Sequence, residues 1–473
     1  MKYNRRKFLA ASAIGGAASV LPTFGKSSIK AEVGNDPAFN EPSRKIPVAG
    51  EYDVIVCGGG PAGIAAAISS ARSGAKTLLL ELGGCLGGVW TSGLLTFIFD
   101  FDKPGITKEI KERLNKLGGK RNTNEDKFTY SPEYMKLLLE QMCTESGVDF
   151  ILHTRVVAAY KENNRLTTIA TESKSGREAW KAKAFIDTTG DGDLGALAGN
   201  GWDIGHGGDV CPCQPLTLNA LAVVDDVTKF KKFMSMYDPL ITDLRDVHVP
   251  SALAFKEEIR KVGLNPSYGH PTIFPIRDNL VMLMLNHEYD VKAFDARAVS
   301  KATVSARAEV HEIAKRLAAS GQPWEKLQVV ASADHIGIRD GRRLHGRHTM
   351  TKLDLINGSK YDDAVARVTF GVDIHAPNQE TNDKEPISKG GIRMTPYEIP
   401  IRALIAKDVD GLMMAGRCIS GDFIAHASYR VTGNAVAMGE AAGVVSAVAA
   451  SSKRLAHQVA WKEAKEVLDK IRL

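Results

Sequence analysis

Three glycines and one acid give the sequence its clearest chemistry. Gly58-Gly59-Gly60-Pro61-Ala62-Gly63 fits GxGxxG at Gly58, Gly60 and Gly63, and Glu81 lies 23 residues beyond Gly58. A short apolar run precedes the motif and an Ala-rich run follows it, the context a dinucleotide site requires. Gly58 permits the tight turn, Gly60 lets a pyrophosphate approach bare backbone, and Gly63 lets helix and strand pack closely. The helix start offers amide donors and a positive dipole end to phosphates. Glu81 can accept both hydroxyls of an adenosine ribose and would repel a 2′-phosphate. A second literal match, Gly190-Asp191-Gly192-Asp193-Leu194-Gly195, is set aside. Gly199-Asn200-Gly201 stops its helix, and Trp202 to Pro215 reads as loop, so Asp209 has no strand end to occupy.

Arg339, Arg342, Arg343, His345, Arg347 and His348 form a dense basic run. A solvated face is the usual meaning of such a run; contact with cofactor phosphates or an anionic substrate, through Arg339 or Arg343, is the other reading. His153, His270 and His375 show no metal-ligand spacing, and with no HExxH or paired His-Cys cluster no metal is expected. Of the six cysteines only Cys211 and Cys213 lie close together, across Pro212. Two small loop residues is the simpler reading of that pair, although an oxidising compartment would permit a disulfide.

The elements that must hold these groups follow from pattern. Asp53–Cys57 and Thr77–Glu81 are apolar runs suited to buried parallel strands. Ile64 to Ser73 is helical and Gly74 closes it. Glu109–Leu117 and Glu133–Ser146 read as amphipathic helices, the second started by Ser131-Pro132. The runs Asp149–Tyr160, Leu166–Glu172 and Ala179–Ile186 alternate with polar turns, as in a meander. Residues 216 to 392 mix strands and helices without a βα rhythm. Asp410–Gly416 then precedes a loop and an Ala/Gly-rich helix from about Gly433 to Ala450.

These blocks resemble a known family. Gly58–Gly63 with Glu81, the loop Gly83-Gly84-Cys85-Leu86-Gly87-Gly88, Ile186 to Asp193, Ile336 to Arg343, and Ala415 to Ser420 with Arg430 and Gly439-Glu440-Ala441-Ala442-Gly443 are similar to the broad bacterial FAD-dependent oxidoreductases. Their flavin domain is akin to those of glutathione reductase and of the flavin-carrying chain of heterodisulfide reductase. The resemblance runs from about residue 50 to 450. It implies an α/β fold: a Rossmann-like FAD-binding domain, with a parallel sheet and small β-meander, interrupted by an α+β substrate domain. The expected divisions are 1–31, a signal peptide; 32–50, an extended lead-in; 51–206 and 393–473, the two parts of the FAD domain; and 207–392, the substrate domain.

The resemblance further implies that Gly58, Gly60, Pro61, Ala62, Gly63 and Glu81 hold FAD, together with Leu86, Gly87, Gly88 and Val156. Thr189, Gly190 and Asp191 would pass near the flavin or its ribose. Where relatives of glutathione reductase end a strand in Gly-Asp, this chain has Gly416-Arg417, which leaves Asp422 as the candidate ribityl partner. Gly433 and Asn434 would start a helix aimed at the flavin N1–C2=O edge, its dipole favouring the anionic reduced ring. The segment before that helix carries His426 and Arg430. An imidazole there can take a proton while hydride leaves to N5, and Arg430 can clamp a substrate carboxylate or carbonyl, or flavin O2. The alternative is that both only bond cofactor and backbone.

Composition bounds the rest. Apolar residues make up 44% and charged residues 25% of 473, ordinary for a globular chain. Six of the 61 basic side chains fall in the first 31 residues, where no acid occurs, leaving 55 basic against 55 acidic. A nucleic-acid partner would need a basic surplus. Asn4-Arg5-Arg6-Lys7-Phe8-Leu9 is a twin-arginine motif, followed by a weakly apolar stretch from Ala10 to Leu21 and a small residue, Ala31, as a cleavage point. An exported, periplasmic location is expected. No later stretch reads as a membrane span. The expected activity is hydride transfer between a small periplasmic metabolite and flavin N5, with an unidentified electron acceptor or donor. A redox-neutral flavoprotein, and a fumarate-reductase-like enzyme fed by a separate electron carrier (no CxxCH haem motif occurs), remain alternatives. The oligomeric state is open.

Overall fold

The computed structural model describes residue 39 and residues 41–119, 128–206, 213–234 and 244–472, with backbone alone for 244–248. The twin-arginine segment and Cys211 lie outside the described residues. Ile46–Leu473 forms one compact unit, and the residues before it form a separate one.

In chain order the elements that build the site are β1 (Val48–Cys57), α1 (Pro61–Arg72), β2 (Thr77–Leu80), α2 (Ile106–Lys116), α3 (Pro132–Glu145), β3 (Asp149–Ile151), β4 (Arg155–Glu162), β5 (Arg165–Ser173), β6 (Gly176–Asp187) and α4 (Asp193–Leu197). There follow β7 (Ala220–Val223), α5 (Leu244–Lys261), β8 (Thr272–Arg277), β9 (Leu280–Met284), α6 (Ala296–Ala319) and β10 (Gln328–Ser332). The chain ends with β11 (Leu412–Met414), α7 (Phe423–Tyr429), α8 (Thr432–Ser451) and α9 (Trp461–Ile471).

The first sheet has the order β3-β2-β1-β6-β5-β4, with β11 also paired to β6. β1 runs parallel to β2 and β6, as do β3 to β2 and β11 to β6. The antiparallel meander β4-β5-β6 completes it. The apolar run of β1 is explained by burial on both faces. Val54 and Val56 join the cluster beneath α1 and α8, whereas Ile55 and Cys57 face Trp180, Leu194 and Leu412 on the other side. The run from Asp149 to Tyr160 breaks in two. His153 takes a left-handed conformation (φ 54°), and Thr154 N–H donates to the Glu81 carbonyl. β3 thus extends the parallel sheet while β4 leaves for the meander.

The second sheet is antiparallel, order β8-β9-β7-β10. One face packs on α5 and α6 through Val281, Leu283, Phe255, Val310 and Trp324. Its other face meets the segment after Gly88: Met282 and Phe274 cluster with Leu94 and Phe97, and the Phe97 and Phe274 rings stack at 5.2 Å. This contact brings the inserted sheet against the phosphate-loop half of the molecule.

α8 departs from the sequence reading in one respect. By length and composition it could cross a membrane, yet 94% of its apolar window is buried. It is a core helix of the first sheet's cluster. It lies parallel to α1 in close backbone contact: a Cβ at Gly439 would stand 2.2 Å from the Ala62 carbonyl oxygen, and one at Gly443 2.3 Å from that of Ala66. Six residues of α8 therefore project beyond the start of α1, about 9 Å at the helical rise.

Candidate functional site

The carboxyl ends of β1, β6 and β11 lie at one edge of the sheet, where open α/β folds bind ligands. Gly58 (φ +105°) turns the chain there, and a Cβ on it would lie 2.5 Å from the Thr188 carbonyl oxygen. Gly63 permits tighter packing still, with Gly58 O only 1.7 Å from its would-be Cβ. Gly60 is the contrast: nothing lies within 4 Å of the corresponding position. Pro61 follows as the first helical residue of α1, where its missing N–H costs nothing, and Ala62 is buried behind it. That open backbone at a helix N-terminus fits a pyrophosphate.

Glu81 is buried, and its carboxylate accepts from Gly59 N (2.5 Å) and Gly83 N (2.6 Å). It ties the phosphate loop to the 83–88 loop. Leu86 is fully buried, Gly87 N–H donates to Gly59 O at 2.8 Å, and Gly88 lies beside Gly60. Val156 sits half-buried on β4, opposite Thr171.

At the end of β6, Thr189 donates through both N–H and Oγ1 to the buried Asp187 carboxylate. Burial pushes that carboxyl up to about 6 against these bonds and that from Gly195 N. Asp191 pairs with Arg417 at 2.7 Å, and the Arg417 guanidinium lies over Gly190. Gly416 (φ +88°) passes close to Ala62. The strand-end position that carries Arg417 therefore does hold an acid, supplied from the neighbouring strand as Asp191. Asp422 spends its oxygens elsewhere: Oδ1 caps α7 through Ala425 N (2.7 Å) and Oδ2 accepts from Lys352 N (2.7 Å). At the start of α8, a Cβ on Gly433 would strike the Phe99 carbonyl oxygen at 2.2 Å. Asn434 is fully buried, and neither atom of its side-chain amide has a hydrogen-bond partner among the described residues. The open cradle at Gly60 and the orphaned Asn434 amide, one at each of two neighbouring helix starts, fit the pyrophosphate and the flavin ring of FAD.

Arg430 caps the C-terminus of α7, one residue before the N-cap of α8. Its Nη2 donates to the carbonyl (2.9 Å) and Oδ2 (3.1 Å) of Asp373 and to Gln214 Oε1 (3.2 Å). His426, one turn earlier, is fully buried, edge-on to Tyr429 at 5.6 Å. Among the described residues no hydrogen bond of ordinary geometry reaches its ring nitrogens. Burial, with Arg343, Arg430 and Arg417 nearby, holds His426 well below the ordinary histidine value, weakly opposed by the Arg417 backbone, so it is neutral.

Around Arg430 the fold assembles groups that the sequence reading left scattered. Asp373 Oδ2 also meets His375 Nε2 at 3.2 Å. His375 N–H donates to Gln214 Oε1 at 3.1 Å. The His287 ring stacks near Tyr268 (4.1 Å) and stands edge-on to His375 (4.9 Å). Arg339 completes the cluster, donating to Pro215 O (2.8 Å) and Thr217 Oγ1 (2.7 Å). Burial first, then Arg339, pushes His375 down to about 4. Burial also holds His287 well below the ordinary histidine value, and lowers Arg339 to about 10, with Arg430 adding repulsion. Against the cost of burial, His375, Arg430 and Arg339 hold the Asp373 carboxyl below the usual carboxylate range.

Tyr268 and His287 were missed by sequence reasoning. The available signal was Asn286-His287 at the end of the wholly apolar run of β9, a place where polar residues meet an interior. The basic run divides. Arg339 enters the cluster, while Arg343 is an anchor, donating to Gly421 O (2.9 Å) and Gly205 O (2.7 Å) and pairing with Asp340. Arg342 lies over the Phe294 ring and bonds Asp193; His345 and Arg347 are solvated, 41% and 36% exposed. Cys213 is disulfide-bonded, unlike the plain loop residue expected of it. Among the described residues no set of three or more His, Cys, Asp or Glu side chains is arranged to hold a metal ion.

The family described as FAD dependent oxidoreductase matches residues 53–468. The tRNA uridine 5-carboxymethylaminomethyl modification enzyme MnmG of Aquifex aeolicus (strain VF5) is 32% identical over 163 residues, covering 30% of this chain and 25% of that enzyme. The chain thus spans about a quarter of the length of the curated relative it matches. Among solved structures, a geranylgeranyl bacteriochlorophyll reductase-like protein from Thermoplasma acidophilum is similar over 89% of this chain and 82% of its own, at 15% identity and a TM-score of 0.43. The anhydrotetracycline hydroxylase OxyS from Streptomyces rimosus is similar over 89% and 65%, at 12% identity and a TM-score of 0.43.

Proposed function

The chain belongs to the FAD dependent oxidoreductase family, and we propose that it moves hydride between a small periplasmic metabolite and its flavin at the cluster beside the α8 N-terminus. Bound FAD supplies a two-electron hydride acceptor or donor at N5. One observation carries the reading: Arg430, one residue from the helix expected at the flavin edge, ties that edge to Asp373, His375 and Gln214 in a buried polar set. Buried polar groups left without partners are costly in a resting fold and are the usual mark of a site that completes itself with a ligand.

In this reading Gly58, Gly60, Gly63 and the start of α1 hold the pyrophosphate, and Asp191, oriented by Arg417, takes the ribityl chain in preference to Asp422. His426 is the proton acceptor: it is neutral and buried, and no well-formed hydrogen bond among the described residues occupies its ring nitrogens, although the Arg417 backbone lies near. Arg430 orients the substrate. Electrons leave to, or arrive from, a separate carrier. The twin-arginine motif supports export of the folded, FAD-loaded protein to the periplasm. The test is anaerobic. Purified yellow protein is screened with alcohols, sugars and organic acids, and flavin bleaching is followed by reoxidation with a dye acceptor. Bleaching with one class, reversed by the dye, is expected. A flavin that no substrate reduces, and whose chemically reduced form no metabolite reoxidises, would favour a redox-neutral role.

A further inference from the structure

We propose that Arg339 and Arg430, with Gln214, His287 and Tyr268 around them, form a binding site for the carboxylate of a small organic acid, and that this acid is the enzyme's substrate. The proposal rests on the reading that substrate reacts at this cluster, and it names the substrate class.

Charge gives the first argument. Among the described residues the cluster holds two guanidiniums and one carboxylate, Asp373, which is in contact with Arg430 and already serves it and His375. Arg339 spends its bonds on neutral acceptors, Pro215 O and Thr217 Oγ1. Arg430, Tyr268, Asp373 and Tyr289 bear on it, and Asp373 is the acid among them; Asp340 bears on Arg430. The nearby acid Glu309 is engaged by Ser267 N and Oγ at 2.7 and 2.6 Å. The neighbouring Arg343 charge is matched by Asp340. Among the described residues one positive charge is thus left over where solvent is scarce, a costly arrangement unless an anion joins it.

Unspent hydrogen-bonding capacity gives the second. Arg430 Nε, Gln214 Nε2, His375 Nδ1 and both nitrogens of His287 are buried and without partners among the described residues. Gln214, His287 and His375 are 2%, 2% and 6% exposed. Two of these atoms, Arg430 Nε and Gln214 Nε2, can only donate. A ligand rich in acceptor oxygens, planar and singly charged, answers that set. A carboxylate meets a guanidinium by a two-point fork, and one negative charge balances the surplus, where a phosphate dianion would overshoot it.

The experiment titrates FAD-loaded protein with lactate, malate and benzoate. Lactamide serves as the uncharged counterpart of lactate, and inorganic phosphate and glycerol as further probes. Flavin difference spectra and melting temperature are the readouts. At least one carboxylate is expected to give a saturable spectral change and a higher melting temperature, and lactamide neither. Arg339→Gln should weaken that carboxylate by roughly 10- to 100-fold with flavin content unchanged, and Arg339→Lys, which keeps the charge but not the fork, by less. If Arg339→Gln does not fold, the lactate–lactamide contrast in the unaltered protein decides. The proposal falls if no carboxylate binds, if lactamide or phosphate binds as well as the best carboxylate, or if Arg339→Gln binds it undiminished. Should an uncharged alcohol or sugar bleach the flavin instead, hydride transfer would stand and the carboxylate site would fall. A carboxylate that binds in an Arg339-dependent way without ever exchanging electrons would preserve the site and remove the hydride reading.

Discussion

Gly60 and Gly63 stand three residues apart and should fail for opposite reasons when substituted. A side chain at Gly60 meets no protein atom, so Gly60→Val should fold and lose its colour, because the branch occupies the space a pyrophosphate needs. At Gly63 the would-be Cβ overlaps Gly58 O, so Gly63→Val should give insoluble or unfolded protein. Flavin-to-protein ratio with circular dichroism separates the two, and a yellow Gly60→Val protein would refute the loop assignment. For His426→Ala the expected result is retained FAD with flavin reduction slowed by roughly 10²–10⁴-fold in stopped flow. Near-normal reduction would pass the proton to His375 or His287. These three histidines also set a pH dependence. All are held below the free value of about 6.5, in surroundings that include Arg339 and His270 for His287, Arg339, Asp373 and Arg430 for His375, and Arg343, Arg430 and Arg417 for His426. Their native values are depressed, so the unfolded chain binds protons first. Stability should be full above pH ~6.5 and fall as pH drops toward 4, by up to ~2 kcal/mol per histidine at pH 5. Denaturant melts should show it, and His287→Gln should flatten the slope; a pH-independent midpoint would count against neutral burial.

At the scale of elements, the α1–α8 pair fixes where two helix starts sit relative to one another. Gly439 and Gly443 allow backbone contact with Ala62 and Ala66, and no side chain fits there. Gly443→Val should therefore cost about 3 kcal/mol or more and, by spreading the helices, loosen flavin even in whatever fraction folds. Urea unfolding and flavin release measure the two effects. A fully stable variant would mean that the crossing tolerates separation. The same pair shows how sequence pattern reads and misreads an element. The Ala/Gly richness of Gly433–Ala450 foretold a helix, and the helix runs Thr432–Ser451. Its apolar character all round reflects burial on every side, which composition alone does not distinguish from a span. Similarly, Asp149–Tyr160 read as one strand because its residues favour β structure throughout; the break at His153 comes from the hydrogen bonds of Thr154 and His153 to the 81–83 segment.

For the whole molecule, export and loading are one question. Arg5 and Arg6 lie outside the described residues, and the folded unit begins at Ile46. Arg5→Lys combined with Arg6→Lys should leave precursor in the cytoplasm, seen by fractionation and immunoblot. Undiminished export of the double variant would reject the twin-arginine route. If the route is used, cells lacking it should accumulate yellow precursor, since cofactor enters before transport.

Local order in the chain was enough to determine the parallel strand–loop–helix start, Glu81 at the second strand end, the meander and the returning C-terminal helix. Each depends on short-range patterns: burial on two faces gives an apolar run, a tight turn demands glycine, and a helix start tolerates proline. A dinucleotide site followed from those pieces, and FAD from the family resemblance that the motif blocks carry. The cluster around Arg430 was another matter. Gln214, Tyr268, His287, Arg339, Asp373 and Arg430 span more than two hundred positions; Arg339 and Arg430 fall in blocks of the family resemblance, and the other four fall in none. Arg339 and Arg343 looked equivalent in one basic run, yet one meets the cluster and the other anchors Gly205 and Gly421. The packing of the second sheet against Leu94 and Phe97 and the bonding of the Asp373 segment to Ala427 and Arg430 bring these distant stretches together. Which charge stays unmatched depends on distances between segments, and a sequence carries no distances beyond its own local spacing.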